Sequence, residues 1–227
     1  MPVPHPNYSL ELLDVHKGPI EDGVEHLTLR TDDGDISCRL HPAEGDTAVL
    51  WVGGAEGGLN GPARGIYTRL AGRLVADRIA SLRLHYRRPN HLMDCALDVL
   101  IGVAYLEAHG YGRIILVGHS FGGAVVITAG AASENVIAVV PMSSQTYGTS
   151  TVGNLSPRPL LLIHGSADEV LPDDCSKDLY RRANPPKEIL LYPGCRHGLD
   201  ECREEVDRDL LAWIRRVSAG EAISAES

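Results

Sequence analysis

The spacing of apolar and polar residues changes several times along this chain, and each change marks an element. Residues 25–31 and 36–41 alternate polar with apolar, the period of a strand with one buried face. Between them, Asp32-Asp33-Gly34-Asp35 is hairpin chemistry. Residues 48–52 form an unbroken apolar run, as in a strand buried on both faces, and end at the loop Gly53-Gly54-Ala55-Glu56-Gly57-Gly58. From there helical and strand periods alternate. Residues 63–77 carry Ile66, Leu70 and Leu74 four apart, and residues 80–86 read as a strand. Residues 90–109 place Leu92, Ala96, Val99, Leu100, Val103 and Leu106 on one helical face before Gly110. Strands follow at 114–117, 135–141, 159–164 and 187–192, with helices at 172–183 and 201–217.

This order predicts an α/β domain whose mostly parallel, doubly wound sheet has about eight strands behind an antiparallel N-terminal hairpin. The whole chain, 1–227, reads as one domain with its core at 20–218. Residues 1–19 are weakly patterned and residues 219–227 small and polar, so both are expected to be peripheral arms.

Composition narrows the partners. An apolar content of 44% and a charged content of 22% over 227 residues suit a soluble globular protein. A net charge of −9 argues against nucleic acid or an anionic membrane as a partner. No run approaches a membrane span, and the first ten residues do not read as a secretion signal, so the expected compartment is the cytoplasm. Five cysteines (Cys38, Cys95, Cys175, Cys195, Cys202) without a C-x-x-C pair are expected to be free thiols.

Candidate chemistry begins at Gly118-His119-Ser120-Phe121-Gly122, a G-x-S-x-G between the apolar run Ile114–Val117 and the small-residue run Ala124–Ala129. A strand that reverses directly into a helix strains the residue at the turn, and flanking glycines make room for it. Ser120 would stand at the top of the sheet, beside amides that the helix start leaves unpaired. A serine hydroxyl needs an adjacent base, itself oriented by a third group. Of the ten histidines, His197 alone lies beyond the penultimate strand. It sits in Pro193-Gly194-Cys195-Arg196-His197-Gly198, where a loop reaches over the C-terminal edge of the sheet.

The elbow and the chain order of its partners resemble the α/β-hydrolase superfamily over roughly residues 20–218. The stretch His164-Gly165-Ser166-Ala167-Asp168-Glu169-Val170-Leu171-Pro172 is similar to that superfamily's H-G-x-x-D pattern, which implies Asp168 as the orienting acid; Glu169, Asp173 and Asp174 are its rivals. Superposing Gly53-Gly54-Ala55 on the superfamily's H-G-x motif implies that Ala55, with Gly54 as the alternative, joins the Phe121 amide in an oxyanion hole. Gly stands where that motif usually has His. The wording of the glycine loop resembles acyl-CoA thioesterases, bile-acid-CoA acyltransferases and dienelactone-hydrolase-like proteins. Relatives often insert a lid after the sixth strand; residues 143–158 here are a polar loop, which implies none.

The resemblance implies a serine hydrolase acting on a small-molecule carboxylic ester or thioester through Ser120, His197 and Asp168. No cofactor or metal is expected, since no histidine, aspartate or cysteine group has metal-ligand spacing. Acyl transfer by the same triad and a silent ligand-binding scaffold are the alternatives. His119, beside the elbow serine, and Arg87, at the end of a strand, are the weaker candidates for substrate contact.

Overall fold

A computed structural model describes residues 9–221 and Ile223. Among the described residues, nine strands form one sheet in the order β1-β2-β3-β5-β4-β6-β7-β8-β9. The strands are β1 (Leu12–Glu21), β2 (Val24–Thr31), β3 (Gly34–His41), β4 (Thr47–Val52), β5 (Ala80–His85), β6 (Arg113–His119), β7 (Val136–Met142), β8 (Leu160–Gly165) and β9 (Lys187–Tyr192). The helices are α1 (Pro62–Leu74), α2 (Leu92–Ala108), α3 (Phe121–Ala132), α4 (Asp174–Arg182) and α5 (Arg203–Ser218). β1, β2 and β3 pair antiparallel, β3 meets β5 antiparallel, and every pairing from β5 to β9 is parallel.

The sheet has one strand more than the sequence pattern predicted. All but the last two residues of β1 lie in the stretch read as a peripheral arm; residues 1–8 of that arm, and residues 222 and 224–227 of the tail, fall outside the described residues. β1 is an edge strand exposed along most of its length, so it lacks the apolar alternation of a half-buried strand. Its order comes from the ladder to β2, from Leu12 opposite Thr31 to Glu21 opposite Val24.

The centre of the sheet follows from side-chain chemistry. All six residues of β4 are buried, and β6 is buried from Ile114 to Gly118. Strands covered on both faces need apolar side chains in both directions, which is why both read as continuous runs. One core packs α2 and α3 against the face that carries Leu50, Leu82 and Leu116. A second packs α1 and α5 against Val49, Trp51, Ile115 and Ile163 on the opposite face. Residues 143–158 carry one short 3₁₀ turn, Val152–Leu155, whose two end residues are buried in the first core. No helix among the described residues is long and apolar enough to cross a membrane.

Candidate active site

β6 ends at His119 and α3 begins at Phe121, so Ser120 alone makes the reversal. Its backbone sits at φ 58° and ψ −120°, outside the regions that L-residues favour. Two close approaches hold it there. A methyl on Gly118 would overlap the Gly122 carbonyl, and a methyl on Gly122 would overlap the Gly53 carbonyl. The elbow is therefore wedged against its own helix and against the loop after β4.

Ser120 Oγ lies 3.0 Å from His197 Nε2, and His197 Nδ1 lies 2.7 Å from Asp168 Oδ2. The neutral tautomer that satisfies both contacts carries its proton on Nδ1 and accepts the serine proton at Nε2. Three residues separated by 77 and 29 positions thus form one hydrogen-bonded line. Glu169, Asp173 and Asp174, the alternatives to Asp168, take no part in it; Asp173 and Asp174 bond Lys177 at the start of α4.

Asp168 is held from two sides. Oδ1 accepts the Val170 and Leu171 amides at 2.9 and 2.8 Å. Oδ2 is shared by His197 and by His164 Nε2, the latter at 3.0 Å. Burial alone would raise the Asp168 pKa. The Leu171 amide, His197 and the Val170 amide outweigh burial and hold it below the ordinary carboxylate range. His164 is fully buried, and sequence reasoning noticed it only as part of a motif. Its Nε2–H points at both Asp168 Oδ2 and the Leu171 carbonyl, and its Nδ1 accepts from Ser176 Oγ at 2.7 Å. It buttresses the carboxylate, and the sequence signal for it was its place at the end of β8, four residues before Asp168.

His119, a weak candidate for substrate contact, turns toward the His197 loop. Its Nε2–H donates to the His197 carbonyl at 2.9 Å, and the two rings lie 4.8 Å apart. Burial holds the His119 pKa down to about 4, so the ring is neutral at pH 7. Arg87, by contrast, is spent on the scaffold. Its side chain is 2% exposed, and it binds Asp98 through Nε at 2.5 Å and Asp33 through a terminal nitrogen at 2.8 Å.

Gly54 packs against Ser120; a methyl on it would come 3.5 Å from Ser120 Cβ. The Gly57 amide donates to the Gly54 carbonyl at 2.9 Å, so Ala55 and Glu56 occupy the tip of a tight turn. Phe121, the first residue of α3, has an amide with no carbonyl behind it in the helix, and its ring meets Tyr86 edge-on at 6.3 Å. An open cavity of about 470 Å³ lies alongside, bordered by Gly54, Asn60, Arg64, His119 and Gly198 among others.

The His197 loop is anchored twice. Its Gly198 carbonyl accepts the Ala63 amide at 2.6 Å, and Asp200 Oδ1 accepts the Arg64 amide at 3.0 Å. Ala63, Arg64 and Gly65 adopt left-handed φ values of 49°, 54° and 91°, which turn these amides toward the loop. The second anchor is covalent. Cys195 and Cys202 form a disulfide with Cα atoms 5.8 Å apart, astride His197. This overturns the expectation of five free thiols; Cys38, Cys95 and Cys175 alone are free. An odd count without a C-x-x-C pair concealed a bridge that spans only seven positions.

Solved structures share this architecture. A putative α/β-hydrolase of unknown function from Agrobacterium tumefaciens superposes with a TM-score of 0.75 at 18% identity, covering 88% of this chain and 99% of that one. A dienelactone hydrolase from Anabaena variabilis gives 0.74 at 18% identity, covering 85% and 97%. A lidless α/β serine hydrolase from Xanthomonas campestris gives 0.69 at 18% identity, covering 88% and 97%. In sequence, an uncharacterized protein of Escherichia coli K12, YfhR, is 35% identical over 37% of this chain and 38% of its own length. The match thus spans well under half of that relative. Residues 65–219 match the model of the Dienelactone hydrolase family. They include the elbow, the His197 loop and Asp168, and the chain belongs to that family.

Proposed function

We propose that this protein is a serine hydrolase that cleaves a carboxylic ester or thioester through an acyl-enzyme. The reading rests on the unbroken line Ser120 Oγ, His197 Nε2, His197 Nδ1, Asp168 Oδ2. In the first step His197 Nε2 takes the Ser120 proton as Oγ forms a bond to the acyl carbon. The carbonyl oxygen becomes an oxyanion beside the Phe121 amide and an amide of the loop after β4, that of Ala55 or Gly54. The Ala63, Arg64 and His119 bonds keep the His197 loop, and with it the imidazole, in place while it is charged, and the Cys195–Cys202 clasp adds stability to that loop. Collapse of the tetrahedral adduct breaks the bond to the alcohol or thiol, which leaves with the proton from His197. Water then repeats the sequence on the acyl-Ser120 ester and releases the acid. Asp168, held ionised by two backbone amides, stabilises the imidazolium in both halves.

The test is hydrolysis of p-nitrophenyl acetate and of a short acyl-CoA by the wild type and by Ser120→Ala, alongside labelling with a fluorophosphonate. A loss in kcat of about 10⁴–10⁶-fold and loss of labelling are expected for the variant. Near-full activity in Ser120→Ala would overturn the reading. Acyl transfer in place of hydrolysis would show as a product that shifts when an amine or alcohol is added.

A further inference from the structure

A column of polar side chains on one face of β3 and β5 takes no part in the reaction above. The two strands run antiparallel, with Ser37 opposite His85, Arg39 opposite Arg83 and His41 opposite Ser81. Directly opposed residues project from the same face with Cβ atoms about 5 Å apart, and like charges so placed repel. Among the described residues, neither Arg39 nor Arg83 has a carboxylate within ion-pair distance. Arg69 and Arg215 each have one and Arg87 has two, in a chain with nine more acidic than basic groups. On the neighbouring strand, the residue opposite Arg39 is His26, and the nearby Glu21 meets that ring at 3.5 Å.

The cations are built into the fold. Arg83 is 6% exposed. One of its terminal nitrogens donates to Thr68 Oγ1 at 2.6 Å and reaches the Leu59 carbonyl and Asn60 Oδ1 at 3.3 and 3.4 Å, while its Nε is buried without a partner. Burial, and then the charge of Arg39, lowers the Arg83 pKa. Arg39 donates to the adjacent Cys38 carbonyl at 2.9 Å. Below them, His41 Nε2 and Ser81 Oγ are also buried and have no partner among the described residues. Arg39 and Arg83 border an open cavity of about 440 Å³, whose other walls are Ser37, His85 and the Gly58–Asn60 segment. The same segment walls the catalytic cleft on its other side, and the Gly58 amide donates to His85 Nδ1 at 2.8 Å.

We propose that this cavity binds a small oxyanion, a phosphate or carboxylate group, held between the guanidinium groups of Arg39 and Arg83. Guanidinium forks match the geometry of both anions, and the bound charge relieves the repulsion between the two cations. The anion is either free or the far end of a longer molecule that reaches around the Gly58–Asn60 wall. The site stands apart from the hydrolase reading, and its test does not require turnover.

The full chain is melted with inorganic phosphate, and separately with acetate, at constant ionic strength with chloride as the balancing ion. The midpoint is expected to rise with the logarithm of anion concentration above Kd, by about 5 °C or more at a hundredfold excess. Ser120→Ala gives the same rise, so an inactive enzyme does not obscure it. Arg39→Gln loses the response. Ser37→Asp supplies a fixed carboxylate beside the pair, raises the midpoint without phosphate and removes the response, which keeps the test sound if Arg39→Gln folds poorly. A second measurement compares KM for p-nitrophenyl acetate and mono-p-nitrophenyl succinate. If Arg39→Gln raises KM for the succinate ester at least tenfold more than for the acetate ester, the anion is the far end of a substrate. A phosphate response without that split identifies a free anion. No rise with either anion overturns the proposal, as does an equal rise produced by chloride.

Discussion

Replacing Asp168 by Asn tests the charge line most directly, because the structure dictates how the amide must sit. An Asn side chain offers one acceptor where the carboxylate offers two. If its oxygen takes the Oδ2 position, its NH₂ faces the Val170 and Leu171 amides, two donors that cannot change role. Each of those bonds to a charged acceptor contributes about 1.5–3 kcal/mol, so that orientation is strongly disfavoured. With the oxygen at Oδ1, the NH₂ points at His164 and His197. His164 can give its proton to the Leu171 carbonyl alone, 2.9 Å away. His197 has one way to meet an N–H donor at Nδ1, which is to move its own proton to Nε2. That tautomer donates toward Ser120 and cannot act as base. The expected outcome is a fall in kcat of about 10⁴-fold, equivalent to about 5.5 kcal/mol of transition-state stabilisation, with KM nearly unchanged. Steady-state hydrolysis of p-nitrophenyl acetate measures this, and circular dichroism checks that the variant is folded. A folded Asp168→Asn enzyme with more than a tenth of wild-type kcat would refute the tautomer argument.

Other expectations follow from single contacts. Gly122→Ala drives a methyl into the Gly53 carbonyl, so thermal unfolding should show a loss of about 3 kcal/mol or more, and an unchanged midpoint would mean the elbow is looser than described. His119 titrates near 4 when folded and near 6.5 when unfolded, so the unfolded chain binds the extra proton between those values. Stability from this group is complete above pH 6.5 and declines as pH falls toward 4, by about 3 kcal/mol in all, and urea midpoints for wild type and His119→Gln should diverge over that window. Closing the short loop between Cys195 and Cys202 contributes about 2.5 kcal/mol on the chain-entropy account. Reduction verified by mass spectrometry should therefore lower the melting midpoint by about 5–10 °C. It should leave kcat within about threefold, because the Ala63 and Arg64 amides still hold the loop; an unchanged midpoint would argue against the bridge.

Much of the fold was legible because its signals are local. The runs of β4 and β6 are apolar on both sides because helices cover both faces, and the elbow is written in five consecutive residues. His197 could be placed by chain order alone. What escaped notice depends on partners far away in sequence. β1 is mostly exposed and owes its order to pairing with β2, which no periodicity reports. Arg87 looked available at the end of a strand, yet Asp98 on α2 and Asp33 in the hairpin turn absorb its charge. The left-handed turn at Ala63–Gly65 contains two residues that rarely adopt such φ values, so propensity favoured plain helix there. The bond from His119 to the His197 carbonyl required both loops to be in place before it could be seen.

Because β4 and β6 are neighbours, with Val52 in register with Gly118, the glycine loop and Ser120 ride on a single slab of the sheet. Asp168 follows β8 and His197 follows β9, two and three strands further out. On the proposed reading, a small slippage of the outer strands would thus detune proton transfer at His197 without moving the glycine loop beside Ser120. Substitutions in the β8–β9 flank should alter turnover and spare affinity, so this half of the molecule is where catalytic speed can drift independently of what is bound.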